Sequence, residues 1–285
     1  MSENKRRQFR LIGHPLGQSI SPQIHERLMK LSGVDGEYKL FEIEPAELEK
    51  LAGYLRTLSG FNVTIPYKRD IVPYLQSVSP RAQRCGAVNT VKCENGEMHG
   101  YNTDSIGFLR SLSDAGIELR GKVLLCGAGG VARMMACEVL ERGCSLVIAT
   151  RRLEGALSAK RDLEKIFSGA DIEARELGSI DSGFDLILNG TPAGMYPHED
   201  DCPIDPAVAG KSAAVFDTIY NPVETVLVKA AKAAGARAAG GLSMLVWQAA
   251  AAQEIWNGTH FKAEDIKALT DDMKELLYSR YGGRR

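Results

Sequence analysis

The stretch Gly121-Lys122-Val123-Leu124-Leu125-Cys126-Gly127-Ala128-Gly129-Gly130-Val131-Ala132 decides how the chain is read. An apolar run, Val123 to Cys126, leads straight into a glycine turn. Ala132 to Glu141 then reads as a helix, with apolar residues at Met135, Val139 and Leu140. Gly127, Gly129 and Ala132 fit G-x-G-x-x-G/A, the fingerprint of a dinucleotide site. Gly127 permits the turn. Gly129 has no Cβ, so a pyrophosphate can approach the backbone, and Ala132 lets helix and strand pack closely. Ala128, Gly130 and Val131 complete the loop, whose N–H groups lie at the positive end of the helix dipole. The bland alternative is a βα turn that is merely rich in glycine; the visible strand and helix on either side favour a nucleotide.

The next strand, Leu146 to Ala149, ends on Thr150, Arg151 and Arg152. An NAD-selective site places Asp or Glu there to hold the ribose 2′-hydroxyl. A guanidinium, always charged and able to bind in a bidentate way, suits a 2′-phosphate instead. The expectation is therefore NADP over NAD, against the alternative of two solvated surface arginines.

A chain of 285 residues allows one or two domains, and 44% hydrophobic with 25% charged residues is ordinary for a globular protein. The net charge of −1 gives no pull towards nucleic acid or membrane. Lys5-Arg6-Arg7 and Arg284-Arg285 read as frayed basic tails. No signal peptide is visible in the charged Met1 to Arg10, and no run is long and apolar enough to span a bilayer. Six scattered cysteines without C-x-x-C point to a reducing, cytoplasmic setting. The five histidines form no H-E-x-x-H, and His198 with Cys202 fits a surface loop better than a metal site, so no metal is expected.

Strands are expected at Phe9–Ile12, Glu37–Ile43, Gly60–Val63, Ile172–Glu176, Phe184–Leu188 and Val215–Thr218. A hairpin of Ala87–Lys92 and Glu97–Tyr101 turns on Asn95-Gly96. Helices alternate with them, one starting at Ser21 (N-cap) and Pro22 (N1), another over Val223–Ala234. This alternation implies an α/β chain with parallel sheets and right-handed crossovers. The end of the chain, Met244–Trp256 and Ala263–Tyr278, is helical with no sheet to close. It is expected to return to the N-terminal part. The result is two lobes: a discontinuous α/β substrate domain, 1–104 plus 242–285, completed by C-terminal helices, and a Rossmann-like dinucleotide-binding domain, 105–241, with ligands between them.

Eight motifs from Ile12 to Trp256 carry a resemblance. They are Gly17-Gln-Ser-Ile-Ser-Pro-Gln-Ile-His25, Asn62-Val-Thr-Ile-Pro-Tyr-Lys68, Gly86-Ala-Val-Asn-Thr90 and Gly100-Tyr-Asn-Thr-Asp104. Then follow Gly127-Ala-Gly-Gly130, Asn189-Gly-Thr-Pro-Ala-Gly-Met195, Asp217-Thr-Ile-Tyr-Asn-Pro222 and Gly241-Leu-Ser-Met-Leu-Val-Trp-Gln248. Together and in this order they resemble the shikimate dehydrogenase family. The resemblance implies reduction of 3-dehydroshikimate to shikimate with NADPH, in aromatic amino-acid biosynthesis.

It also implies roles for residues. Ser19 and Ser21 would bind the substrate carboxylate; two residues apart, an extended backbone turns both hydroxyls one way, although Ser21 could be only an N-cap. Lys68 and Asp104, each at a polar strand end, would be the catalytic pair. Hydride transfer to a ketone leaves alkoxide character that needs a proton, and a Lys–Asp pair can supply it, whereas the bland reading is a surface salt bridge. Thr64, Asn89, Tyr220 and Gln248 match further substrate positions. Thr191, Met195, Gly241 and Met244 match cofactor positions, Met244 being equally readable as core.

The chain departs from the family pattern at Glu26 (often Asn), at Ser105 and Ser243 (commonly Gly), and at Gly155, where a second basic residue is often found; Arg152 stands in a position to compensate. The rival expectations are a quinate/shikimate dehydrogenase paralogue of broader substrate or NAD use, against which Ser21 speaks because quinate-active relatives often carry Thr, and a non-catalytic NADP-binding regulatory module. The expected partner is a small-molecule substrate, with no nucleic acid and no membrane, in a monomer or homodimer.

Overall fold

A computed structural model describes residues 6–17 and 19–281, so Lys5, Gln18, Arg284 and Arg285 lie outside the described residues. The chain divides into two compact units, Met1–Ile106 with Val246–Leu269, and Gly107–Leu245 with Thr270–Arg285. The final helix, Ala263–Tyr281, is thus divided between the two groupings, the part up to Leu269 falling in the first and the part from Thr270 in the second.

The first unit holds β1 (Arg7–Gly13), β2 (Gly36–Glu42), β3 (Gly60–Val63), β4 (Ser77–Val78), β5 (Thr90–Glu94) and β6 (Glu97–Tyr101), in the sheet order β2-β1-β3-β5-β6-β4. β1 runs parallel to β2 and β3, but β5 is antiparallel to both β3 and β6. This sheet is therefore mixed, a correction to the parallel sheet expected from alternation. The expected hairpin accounts for β5 against β6: Asn95 (φ 54°) and Gly96 (φ 79°) both take left-handed backbone, and a two-residue loop of that kind reverses the chain in place. The mixed order has a consequence for the site. Ile12 pairs with Val63, Asn62 with Thr90, and Thr90 with Tyr101. The ends of β1, β3 and β6 and the start of β5 therefore share one end of the sheet.

Trp256, on the helix Leu242–Asn257, stacks on Phe9 at 4.7 Å and donates its indole N–H to Val91 O at 2.8 Å. A Cβ on Gly60 would strike the Trp256 indole, which is why the strand carries glycine there. Phe9, Leu11, Leu16, Met29, Tyr38, Ala252 and Trp256 form one core cluster of this unit, so the return of the chain after Val246 fills it. Truncating such a buried aromatic costs about 3–5 kcal/mol. Arg7, expected in a frayed tail, opens β1 and donates to Trp256 O at 3.3 Å and to Asn257 Oδ1. A second correction concerns Ser21: the helix Ser21–Ser32 has Ile20 at its N-cap and no side-chain cap. The Ser21 hydroxyl is instead within 3.0 Å of that of Ser19.

The second unit holds β7 (Lys122–Cys126), β8 (Ser145–Thr150), β9 (Ile172–Glu176), β10 (Leu186–Asn189), β11 (Ala214–Asp217) and β12 (Arg237–Ala239). All pair parallel, in the order β12-β11-β10-β7-β8-β9. Counted from β7, this is the doubly wound dinucleotide order, with its reversal point between β7 and β10. The helix expected from Val223 starts at Val226, because Thr225 caps it by accepting from Val228 N at 3.3 Å. Among the described residues no helix is long and apolar enough to cross a membrane.

Candidate active site

In the first unit the shared sheet end gathers Lys68, from the loop after β3, and Asp104, from the first turn of the helix Thr103–Asp114, 36 residues apart, and Lys68 Nζ donates to Asp104 Oδ2 at 2.6 Å. The two side chains are 27% and 18% exposed, so the pair is neither sealed in a core nor fully washed by solvent. The other carboxylate oxygen, Oδ1, accepts from Asn89 Nδ2 at 2.8 Å. Asn89 is itself held: its Oδ1 accepts from Thr103 N at 2.6 Å, and its Nδ2 also lies 3.0 Å from Thr103 Oγ1. The loop carrying Lys68 is tied to the same place, since Val88 N donates to Lys68 O at 2.8 Å and the Tyr67 phenol donates to Ile43 O. The ammonium and carboxylate are thus placed by the ends of β3, β5 and β6 rather than by their own flexibility.

Ser19 stands on the loop after β1 and Ser21 opens the helix that follows it, at the same sheet end, with hydroxyls 3.0 Å apart and Ser21 N donating to Ser19 Oγ at 3.2 Å. Two adjacent hydroxyls beside the first turn of a helix can donate together to one carboxylate. Thr64 follows β3, and its Cγ2 occupies the space a Cβ on Gly13 would need. Gln248 lies on the helix Leu242–Asn257, in the part grouped with this unit. Tyr220 belongs to the other unit, so the first unit alone does not gather every expected substrate residue.

In the second unit the glycine turn sits at the reversal point of the sheet. Gly127 has φ 106°, a conformation glycine favours, and a Cβ there would lie 3.0 Å from Gly190 O. Gly129 caps the helix Gly130–Glu141, which starts two residues earlier than its apolar pattern shows. A Cβ at Gly129 or Gly130 would meet nothing within 4 Å, so the space in front of this helix N-terminus is open. Unpaired N–H groups facing open space are what a pyrophosphate needs. Ala128 is exposed and Val131 half-buried beside them. Ala132 is fully buried, and a Cβ on Gly190 would come within 2.9 Å of its methyl group.

Thr150 ends β8, and its hydroxyl is used within the turn, donating to Arg152 O at 2.7 Å and accepting from Ala156 N at 3.0 Å. It shapes the turn that carries Arg151 and Arg152. Both arginines are exposed, and no carboxylate among the described residues pairs with either. Thr191 follows β10 and donates to Asn189 Oδ1 from its hydroxyl at 2.7 Å and its N–H at 2.9 Å. Met195 closes that loop, 45% exposed. Gly241 N donates to Ile219 O at 2.8 Å, and a Cβ on Gly241 would strike Thr218 O. Met244 follows on the first turn of the helix Leu242–Asn257.

The family model for the shikimate dehydrogenase substrate binding domain matches residues 11–91. The shikimate dehydrogenase (NADP(+)) of Moorella thermoacetica is 39% identical over 285 residues, covering 96% of this chain and 94% of that protein. The chain belongs to the shikimate dehydrogenase family. The crystal structure of a shikimate dehydrogenase in complex with NADP+ aligns with a TM-score of 0.86 at 36% identity, covering 96% of this chain and 97% of the other. The shikimate 5-dehydrogenase of Thermus thermophilus, solved in complex with NADP(H) and shikimate, aligns with a TM-score of 0.81 at 30% identity over 93% and 99% of the two chains.

Within this shikimate dehydrogenase fold the departures from the family pattern are accommodated. Glu26 pairs with Lys30 at 3.5 Å on an exposed helix face. Ser105, in the first turn of the helix Thr103–Asp114, is fully buried, and its N–H donates to Asn102 Oδ1 at 3.1 Å. The structure also adds residues that the reading of single motifs passes over. A buried chain of polar groups runs from Tyr38 OH to Asn62 Oδ1 (2.8 Å), from Asn62 Nδ2 to Thr90 Oγ1 (2.9 Å), and from Thr90 to Thr103 Oγ1 (2.8 Å), ending on Asn89. Asp217 organises a second such network in the other unit. Both sit inside legible motifs, but their partners lie far along the chain.

Proposed function

We propose that the chain catalyses the reversible NADPH-dependent reduction of 3-dehydroshikimate to shikimate, a step of chorismate and aromatic amino-acid biosynthesis. The observation that carries this reading is the 2.6 Å contact of Lys68 Nζ with Asp104 Oδ2, braced from its far side by Asn89. When bound, the reduced nicotinamide supplies the hydride to the substrate carbonyl carbon. The oxygen then gains alkoxide character, and Lys68 donates the proton that quenches it. In the oxidative direction Lys68 takes that proton back. Asp104 accepts a hydrogen bond from a ring hydroxyl and orients the ammonium. Ser19 and Ser21 hold the substrate carboxylate, and Thr64, Asn89, Tyr220 and Gln248 read the remaining ring substituents. Buried polar groups of this kind reject analogues that lack a hydroxyl.

For the cofactor, the open helix N-terminus at Gly129 and Gly130 supports a pyrophosphate seat. We assign Gly127, Ala128, Gly129, Gly130 and Val131 to it. Thr150, Arg151 and Arg152 would take the 2′-phosphate, and Thr191, Met195, Gly241 and Met244 the ribose and nicotinamide. The substrate domain would comprise residues 1–104 plus 242–285, and the cofactor domain 105–241. We place the enzyme in the cytoplasm as a monomer or homodimer, in keeping with its free cysteines. Steady-state rates with shikimate and with quinate, each with NADP+ and NAD+, test the reading. Shikimate with NADP+ should give the highest kcat/KM; a preference for quinate or NAD+ would favour the broader paralogue instead.

A further inference from the structure

We propose that Asp217 is a positioning residue for the cofactor, acting through Asn189 on the Thr191–Met195 loop; this rests on the NADP reading above. Asp217 ends β11 and is fully buried. Its Oδ1 accepts from Asn189 Nδ2 and from Ile219 N, each at 3.0 Å, and its Oδ2 accepts from Thr225 Oγ1 at 2.7 Å. Each of these donors leads into a different segment.

Asn189, at the end of the neighbouring β10, turns its own Oδ1 to Thr191 N and Thr191 Oγ1. Thr191 Oγ1 in turn accepts from Ala193 N at 3.2 Å, so the carboxylate's hold extends into the loop that ends at Met195. Ile219 carries the carbonyl that receives Gly241 N, which places the start of the Gly241–Met244 segment. Thr225 caps the helix Val226–Ala233 and packs where a Cβ on Gly194 would lie, 3.4 Å from Thr225 Cγ2. One carboxylate therefore joins both segments assigned to the nicotinamide side of the cofactor.

The choice of residue is informative. Three donors converge on the end of β11, and a carboxylate is a side chain with enough acceptor sites for all of them. A strand end that served packing alone would be better filled by an apolar side chain, because burying a charge is costly. That cost is visible: burial is the main influence on the Asp217 carboxyl and raises its pKa to about 6, against the lowering effect of its three hydrogen bonds. The fold retains the group despite the cost, at the end of β11 beside β10, the strand that borders the reversal point of the sheet. Asn189 and Asp217 are the positions at which β10 and β11 pair last. Their hydrogen bond is thus the link between two strand ends from which cofactor loops depart.

The test uses Asp217→Ala, Asp217→Asn and Asn189→Ala in the full-length enzyme, with the NADP+ dissociation constant from fluorescence titration, which should follow KM for NADP+, beside KM for NADP+ and for shikimate, kcat and thermal melting. Asp217→Ala should raise KM for NADP+ at least tenfold while KM for shikimate stays within twofold. Asp217→Asn keeps an oxygen for Asn189 and Ile219 and should restore KM for NADP+ to within about threefold. Asn189→Ala cuts the link while leaving the carboxylate two of its donors, so it carries the test even where Asp217→Ala does not fold. Asp217→Ala combined with Asn189→Ala should be no worse than Asp217→Ala alone. A folded variant with unchanged KM for NADP+, or with both KM values raised alike, would overturn the proposal. Absence of NADP-dependent shikimate turnover in the parent enzyme would instead contradict the proposed function.

Discussion

Asn89 Nδ2 donates to Asp104 Oδ1 at 2.8 Å, on the carboxylate oxygen that Lys68 does not use. The Asp104 carboxylate is therefore fixed from both sides. Asn89→Ala frees one side and also removes the acceptor of Thr103 N. A hydrogen bond to a charged group is worth about 1.5–3 kcal/mol, so kcat/KM for shikimate should fall roughly 10- to 100-fold. NADP+ affinity, followed by fluorescence titration, should not change.

Arg151 and Arg152 project from a turn shaped by Thr150 and are engaged by no carboxylate among the described residues. Replacing both by Ala should raise KM for NADP+ by about 10- to 100-fold and leave KM for NAD+ nearly unchanged, because only the former carries the 2′-phosphate. Equal effects on the two cofactors would place the phosphate elsewhere.

Gly190 has no room for a side chain, since a Cβ would lie 2.9 Å from Ala132 Cβ and 3.0 Å from Met135 Cε. Gly190→Ala should push the helix Gly130–Glu141 off β10. Overpacking of this sort costs about 1–3 kcal/mol, readable as a lower Tm together with a weaker NADP+ titration.

Much of this architecture is legible in the sequence because its signals are local. The glycine turn lies between its own strand and helix, and Asn95-Gly96 specifies its hairpin within two residues. The strands β4 and β12, two and three residues long, carry too little pattern to be read, and their pairing is settled by neighbours. The polarity of the first sheet escapes the sequence for a related reason: the hairpin is visible, but not that its first strand pairs antiparallel with β3. The site divides in the same way. Lys68 and Asp104 stand out by their motifs, whereas Asn189 and Asp217 are 28 residues apart and come into hydrogen-bonding contact only when β10 and β11 lie side by side. Ser21 reads as a cap because its place before Pro22 fits that role; the neighbouring Ser19 hydroxyl claims it instead.

His25 gives a prediction for acid stability. It is fully buried, stacked on Tyr38 at 3.9 Å, with Nδ1 2.9 Å from Gln253 Nε2. Burial lowers its pKa from 6.5 to about 3. The unfolded chain takes up a proton below pH 6.5 that the folded chain refuses. This contribution is complete above pH 6.5 and is lost as pH falls from 6.5 towards 3, at no more than about 1.4 kcal/mol per pH unit. Asp217, whose pKa is raised, acts in the opposite sense below about pH 6, so parent and variant must be compared at each pH. Urea unfolding of His25→Gln should show a flatter decline than the parent between about pH 6.5 and 4.5. Matching slopes would mean that the imidazole titrates normally.

The central claim is that the Lys68 ammonium, held by Asp104, moves the proton that accompanies hydride transfer. Its most direct test is the turnover of Lys68→Ala with shikimate and NADP+, measured beside NADP+ binding to the same variant. The account predicts that kcat falls by about 10²–10⁴-fold with the NADP+ dissociation constant unchanged. Near-normal kcat in a folded Lys68→Ala enzyme would contradict it.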